Sequence, residues 1–563
     1  MDFEQKIKEA VAKTSGMNIK EIILEKPKEG ENFGDYAFPC FPLARTYKKN
    51  PVEIAKDIKN KLDKLKIKEI EKIEPVNGYL NFFINKEVLI ETLLDDIQKP
   101  IKFKDRETVL VESPGPNTNK PLHVGHIRNL FIGDSIARIF AFTENKVKRV
   151  DVVNDRGIHI CKSMLAYQKW GKNSTPEKAK KKSDHFVGDY YVLFSKKARE
   201  NPNLEIEAQE MLKKWEAGDK QVLALWKKMN KWALDGMQET YRLLNFAHDK
   251  QYFESQTYKK GKEIVLEGVK KGLFKKNDDG SVSIDLGELG EKTLLRADGT
   301  TVYITQDLYM IEARYGDYKF DKMFYIVASE QNFHFQVLFK LLEILGKKWA
   351  KNCFHISYGM VNLPSGKIKS REGTTADADD LIQELREDAK SELKKRYKLS
   401  EKELNSRSRA IALAAIKFAL LKVDIKKDMT FNKQEALDFE GFSGPYLQYS
   451  YARASSILKK VKLKKVKSKA SFSNLEQIEV SLVKKLSEFP NVLERAKKEI
   501  KPDLIALYSY ELAQLFNNFY HNCPVMQVED ERIKSRRIEI VREFKNILSI
   551  CLNLIGIEVL EEM

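Results

Sequence analysis

Apolar positions along this chain follow two different periods, and the changes between them mark its parts. Thr108-Val-Leu-Val-Glu112 is a short β-branched run that predicts a buried strand. A loop rich in Pro, Gly and Asn follows, from Ser113 to Pro121. His123-Val-Gly-His126 then leads into a predicted helix, because Ile127, Leu130, Phe131, Ala137 and Phe140 recur near helical spacing. This order places the loop at the carboxyl end of a strand, where open α/β sheets bind ligands. The helix start offers unpaired N–H groups and a partial positive charge, which suit phosphate. Val147–Val153 predicts a second strand.

The flanking segments read differently. Residues 1–100 suggest a small α+β domain: an amphipathic helix at the start, a second helix from Pro51, and an alternating strand over Gly78–Ile84. From about 155 to 262 the chain turns to long, charged helical stretches, which reads as an insertion into a nucleotide-binding domain spanning 101–380. Strand signals return at Ser281–Leu286, Leu294–Ile304, Met323–Ala328 and Phe354–Leu363, so the same sheet is expected to resume. Over 381–563, runs such as SRAIALAAIKFALLKV and ALYSYELAQLFNNFY predict an all-α bundle.

Composition narrows the classes. At 563 residues the chain exceeds the roughly 100–200 residues of one domain. No apolar run approaches the roughly 20 residues that a membrane span needs, and the charged N-terminus lacks the features of a signal peptide. Cys40, Cys161, Cys353, Cys523 and Cys551 are scattered, with no C-x-x-C pair, so neither a metal site nor a disulfide framework is expected and a reducing cytoplasm is the simplest compartment. The net charge of +17 fits a polyanionic partner such as nucleic acid. On charge alone, a lysine-rich solvated surface fits equally well.

The candidate chemistry lies in loops. Gly366-Lys367 is followed by Ile368, so the phosphate-binding G-x-x-x-x-G-K-[ST] loop is absent. His123 and His126 at a helix start have the reach to donate N–H to phosphate oxygens, and Gly125 between them leaves room for a flat ring on the backbone. Lys367, Lys369 and Arg371 lie between Gly366 and Gly373, a pattern that suits closure over a polyphosphate, although taken alone it reads first as a solvated basic loop. Tyr303 and Asp307 stand four apart and become neighbours if the chain turns helical after Ile304. A carboxylate there suits a guanidinium, which it meets through two parallel hydrogen bonds. Asn77, Tyr79 and Asn81, if they share one strand face, offer two amides and an aromatic to an unpaired base, though an ordinary half-buried strand reads the same way.

Taken together these residues resemble the class I aminoacyl-tRNA synthetases, and within them the arginyl branch, over nearly the whole chain. Ser113-Pro-Gly-Pro-Asn-Thr-Asn-Lys-Pro-Leu-His-Val-Gly-His126 is similar to the H-I-G-H signature. Arg296–Asp307, Glu330–His334, Glu440–Arg453 and Phe516–Val525 resemble later arginyl segments, and Glu31-Asn-Phe-Gly-Asp-Tyr-Ala-Phe38 resembles the extra N-terminal domain. The resemblance implies a Rossmann-type parallel-sheet catalytic domain, a tRNA-contacting N-terminal domain and an anticodon-binding bundle. It implies ATP with Mg2+, L-arginine and tRNA as partners, arginine activation that depends on tRNA, and a monomer. His123, Gly125, His126, Lys369 and Arg371 would meet ATP, with His123, His126, Lys120 and Lys369 catalytic. Asn117, Tyr303, Asp307, Gln331 and Glu254 would line the arginine pocket. Asn77, Tyr79, Asn81, Tyr446, Gln448, Tyr449, Arg453, Tyr520 and Met563 would face tRNA. Two departures stand out. The K-M-S-K-S signature appears as Lys367-Ile-Lys-Ser-Arg371, with Ser370 at the usual second lysine, a duty the resemblance gives to Lys120. Gly115-Pro116 replaces a commoner serine-rich stretch.

Overall fold

A computed structural model describes residues 3–27, 33–104, 106–364, 366–367, 377–462 and 470–563. Glu31 and Asn32 of the N-terminal motif lie outside them. The chain forms two compact units. One gathers Met1–Lys102, Arg453–Asn491 and Glu511–Leu548, and the other Phe103–Ala452, Val492–Tyr510 and Ser549–Met563.

In the first unit, β1 (Tyr36–Pro39), β2 (Ile70–Val76) and β3 (Tyr79–Ile84) form an antiparallel sheet in the order β1-β3-β2. Asn77 and Gly78 make the β2–β3 turn, with φ of 49° and 84°. Asn and Gly tolerate that left-handed conformation, which two-residue hairpins require. This corrects one expectation. Asn77 sits in the turn and does not share a strand face with Tyr79 and Asn81. The Phe3–Ser15 and Pro51–Asp63 helices bury Ile7, Val11, Ile54 and Ile58 with Leu80 and Phe82 of β3. Asn50 caps the second helix by accepting from Val52 N at 2.9 Å. Among the helices, Glu479 is fully buried and binds Arg536 and Arg537.

The second unit is built on five parallel strands: β4 (Thr108–Glu112), β5 (Lys146–Val153), β6 (Lys250–Phe253), β10 (Lys322–Ala328) and β11 (Cys353–Tyr358). Their order is β11-β10-β4-β5-β6. Strands covered on both faces need apolar residues at successive positions, and Val109, Leu110 and Val111 of β4 are all buried. Succession runs from β4 towards β6 on one side and from β10 to β11 on the other. The order therefore reverses between β4 and β10, which opens a crevice at their carboxyl ends.

Three sequence expectations change here. The inserted helices, Ile158–Trp170 through Lys220–Leu243, share a core of Phe186, Phe194, Trp215 and Met229, but the chain rejoins the sheet at β6, before residue 262. Lys250-Gln-Tyr-Phe253 is too short and polar to announce a strand, and an edge position tolerates that. Ser281–Leu286 does not rejoin the sheet. Its strand β8 (Val282–Asp285) pairs with β7 (Lys275–Lys276) and β9 (Glu291–Leu295) in a separate antiparallel sheet. The expected strand Leu294–Ile304 ends at Leu295, because Asp298 turns the chain by accepting from Thr300 N at 2.9 Å, and a helix runs from Tyr303 to Tyr318.

The expected strand Phe354–Leu363 also breaks, at Gly359. A Cβ there would lie 2.4 Å from the Lys427 backbone. Arg128, with none of its surface exposed, fills this junction. It donates to the carbonyls of Gly359 at 2.6 Å and Lys427 at 2.9 Å, and reaches those of Met360, Asp424 and Ile425. The Val124–Phe142 helix, which carries Arg128, is thereby tied to the segment after β11. We expect Arg128→Met to lower the unfolding free energy by about 3 kcal/mol, since a charged donor is lost and buried carbonyls are orphaned. Urea unfolding measures this, and an unchanged midpoint would mean those carbonyls find other partners.

Candidate active site

A cavity of about 810 Å³ occupies the crevice at the ends of β4 and β10, a size typical of small-molecule sites. The loop after β4 forms one wall. Gly115, at φ 69°, turns the chain and donates its N–H to Asp151 Oδ1 at 2.9 Å. Beyond it the backbone runs beside Asn154, with Thr118 N on Asn154 O at 3.2 Å and Asn154 N on Pro116 O at 3.0 Å. Asn117 is held there, on the cavity wall.

His123 caps the Val124–Phe142 helix, and His126 lies in its first turn. Their rings stack with centroids 3.7 Å apart. The His123 N–H donates to His126 Nδ1 at 3.2 Å, which leaves the ring proton of a neutral His126 on Nε2. Burial, reinforced by Lys120, pushes His123 down to about 3. Burial, then His123 and Lys120, holds His126 well below its ordinary value. Both rings are thus neutral hydrogen-bonding groups at neutral pH. A Cβ on Gly125 would stand 3.1 Å from the His123 ring, so any larger residue crowds it.

The opposite side of the cavity is acidic. Tyr303, Asp307 and Gln306 come from the Tyr303–Tyr318 helix, Glu254 follows β6, and Gln331 follows β10. Tyr303 is 71% exposed and Gln331 is also exposed. Asp307 Oδ2 lies 2.6 Å from His334 Nε2. Beneath them Glu112 pairs with the fully buried Arg314, whose guanidinium lies over the rings of Tyr252 and Tyr325. Burial pushes Glu254 up to about 7 against the pull of Arg156. It pushes Glu112 up to about 7 against Arg314, with Asp307 and Asp151 adding to the rise. Asp151 also rises to about 7 through burial.

The cavity therefore gathers Asn117, His123, Gly125, His126, Glu254, Tyr303, Asp307 and Gln331 from segments far apart in the chain. Lys120 lines a neighbouring recess of about 590 Å³ that also touches His123. Lys369 and Arg371 lie outside the described residues. The residues expected to face tRNA are spread over both units. Tyr79 packs edge-on against Phe41, and Asn81 is buried in the central strand. Arg453 bonds Asn517 and lies over the Tyr520 ring, 4.5 Å from its centroid. Tyr446 and Tyr449 are half-buried. Gln448 is fully buried and donates to Glu558 O at 2.7 Å, and Met563 packs with Leu393, Leu404 and Phe439.

Sequence reasoning missed Arg314, Glu112 and Arg156 as parts of the site. Glu112 carried a signal, as an acid closing a strand that ends in a ligand-binding loop. Arg314 lies two helical turns after Asp307. Among the described residues, Asp184, His185 and Asp379 bring potential metal-ligating atoms within 4.8 Å of one another. The Lys182 ammonium, 3.0 Å from Asp184 and 2.5 Å from Asp379, already occupies that position.

Comparison with known proteins follows the same order along the chain. Residues 1–84 match a family model described as the arginyl tRNA synthetase N terminal domain. Residues 88–433 match that of the tRNA synthetases class I (R) catalytic domain, and 447–563 that of the DALR anticodon binding domain. The chain is 44% identical to an arginine–tRNA ligase of Treponema denticola, over 97% of this chain and 95% of the relative. It is 42% identical to that of Bacteroides thetaiotaomicron, over 97% of each. The solved Thermus thermophilus arginyl-tRNA synthetase superposes with a TM-score of 0.77 over 100% of both chains, at 25% identity.

The neutral histidines make stability depend on pH. His123 has an ordinary value of 6.5 when unfolded and about 3 when folded, so between those values only the unfolded chain takes up its proton. Its contribution is complete above about pH 6.5 and is lost as the pH falls, by about 1.4 kcal/mol at pH 5.5. His123→Asn should therefore lose less stability than the parent between pH 7.5 and 5.5, by about that amount. Urea unfolding at the two pH values decides, and equal losses would contradict a neutral His123.

Proposed function

The chain belongs to the arginyl-tRNA synthetases of class I, and from that premise we propose which of its residues carry the reaction. The enzyme ligates L-arginine to tRNA in protein synthesis, using ATP and forming an adenylate on the way. The arginine carboxylate attacks the α-phosphorus of ATP, and the bond to pyrophosphate breaks. A hydroxyl of the terminal ribose of tRNA then attacks the arginyl carbonyl, and AMP leaves.

In our reading, His126 Nε2–H and the helix-start N–H groups beside His123 donate to ATP phosphate oxygens, and they do so as neutral dipoles. Such donors, fixed in advance, stabilise charge that develops at phosphorus. Gly125 keeps the His123 ring free to turn its unpaired Nδ1 to a ligand, and Mg2+ enters with ATP. Lys120, Lys369 and Arg371 supply cationic charge to the departing pyrophosphate. Asn117 holds the α-amino end of arginine. Asp307, with Glu254, Tyr303 and Gln331, takes the guanidinium, which a carboxylate meets through paired hydrogen bonds. The observation that carries this reading is one cavity with neutral donors on one wall and carboxylates on the other.

We assign tRNA contacts to Asn77, Tyr79 and Asn81 of a domain over 1–100, and to Tyr446, Gln448, Tyr449, Arg453, Tyr520 and Met563 of a helical domain over 381–563, with catalysis in 101–380. For the buried Asn81, Gln448 and Met563 the part is to shape the surface around them. A reducing cytoplasm fits the five buried free thiols, and we assign the chain as a monomer there. No described helix is long and apolar enough to cross a membrane.

Asp307→Asn should cost about 2–5 kcal/mol of transition-state stabilisation in kcat/KM for arginine, the usual effect of truncating one partner of a charge pair that becomes buried when the substrate binds, and leave the ATP dependence unchanged. Near-normal arginine kinetics would refute the pocket assignment. Pyrophosphate exchange with arginine and ATP should appear only when tRNA is added. Equal exchange without tRNA would remove that dependence, and exchange driven by a different amino acid would overturn the substrate.

A further inference from the structure

The inserted helices have no part in the reading above, yet they reach the amino-acid pocket through one side chain. Arg156 follows β5, just before the first inserted helix. Its guanidinium lies 4.0 Å from the centroid of the Tyr258 ring and 5.6 Å from that of Trp215. Nη2 binds Glu216 Oε1 at 2.5 Å, at the end of the inserted Asn203–Glu216 helix. Nη1 lies 3.8 Å from Glu254 Oε1, and both side chains are nearly buried, at 8% and 11% exposure. Gln306 bridges the pair. Turned so that each end meets a complementary group, its amide donates to Glu254 Oε1 at 2.7 Å and accepts from Arg156 Nη1 at 3.1 Å. A continuous polar chain therefore runs from Glu216 through Arg156 to Glu254 on the cavity wall.

We propose that Arg156 is a positioning residue for amino-acid recognition, locked by Glu216, Tyr258 and Trp215 so that it holds the Glu254 carboxylate in place for the incoming guanidinium. The proposal rests on Glu254 being one of the carboxylates that meet the substrate. It gives the insertion a function: through Glu216 it sets the affinity for arginine. The fork of the guanidinium is what the role requires, because its two ends serve Glu216 and Glu254 at once while its face stacks on the aromatic rings. A lysine ammonium is a point charge without that geometry. The charged groups facing Glu254 are Arg156 and Asp155 after β5, and Asp307 on the Tyr303–Tyr318 helix. Burial and the two acids favour the protonated carboxyl, and Arg156 alone among them opposes it. Removing Arg156 should leave Glu254 protonated at neutral pH, and raising the pH should ionise it again.

The test is steady-state aminoacylation by the full chain, with KM for arginine and KM for ATP measured at pH 7, 8 and 9 and each variant compared with the parent at the same pH. Arg156→Gln should raise KM for arginine by about tenfold or more at pH 7, with KM for ATP changed less than about twofold. That defect should shrink towards pH 9. Glu216→Gln, altered outside the cavity, should raise KM for arginine by a few-fold in the same sense. Glu254→Gln should show the arginine defect at every pH, because no ionisation can restore it. An Arg156→Gln defect independent of pH, or one shared equally by ATP, would make Arg156 merely structural and overturn the proposal. So would an unchanged KM for arginine in Arg156→Gln, or in Glu216→Gln if Arg156→Gln does not fold. If Glu254→Gln itself leaves arginine use unchanged, the pocket reading fails. If Glu254→Gln is impaired and Arg156→Gln is not, the proposal alone fails.

Discussion

Carboxylates crowd one wall of the cavity, and the described protein cations beside them are too few to balance them. Glu112, Asp151, Asp155, Glu254 and Asp307 lie on it or beneath it, while Arg314 and Arg156 are the arginines set against them. Burying a carboxylate without a partner is costly, and a buried acid lowers that cost by keeping its proton. Burial pushes Glu112, Asp151 and Glu254 each up to about 7, although Arg314, hydrogen-bond donors and Arg156 respectively pull the other way. In the function proposed above, the guanidinium of the substrate adds a cation on this wall, which would let the acids ionise.

The other wall depends on the fold more than on charge. A parallel sheet covered on both faces leaves its polar chemistry to the loops at the strand ends. The reversal of strand order between β4 and β10 opens the crevice there, and the first turn of the helix after β4 lines it with His123, Gly125 and His126. His123 and His126 then need no charge of their own, and burial denies them one. Arg128 keeps this helix tied to the backbone after β11, so the donors stay where the strand order puts them.

Much of this was legible in the sequence, and the losses have physical causes. The β4 strand, its loop and the His-Val-Gly-His helix start were readable because apolar period, turn residues and helix spacing agreed along one stretch. The edge strand β6 was not, since four residues with a lysine and a glutamine carry almost no hydrophobic signal. The turn at Asp298 interrupted an alternating run and hid the start of the helix that carries Tyr303 and Asp307. Asn77 was misplaced because an Asn-Gly pair was read as part of a strand and not as its turn. The eight residues that meet in the cavity were identified by motif, but Arg314 and Arg156 act through side-chain contacts that only folding creates. No pattern in the chain pairs Glu112 with a residue two hundred positions away.

The poised acids make one direct measurement decisive. Arginine binding should be followed by titration calorimetry at pH 7 in buffers of different ionisation enthalpy, which counts protons exchanged on binding. Acids near 7 that ionise against an incoming guanidinium should release protons at pH 7 and fewer at pH 8, where more of them are already ionised. Proton release that fades with rising pH is the expected result. Binding with no proton release at pH 7, or with proton uptake, would contradict the account.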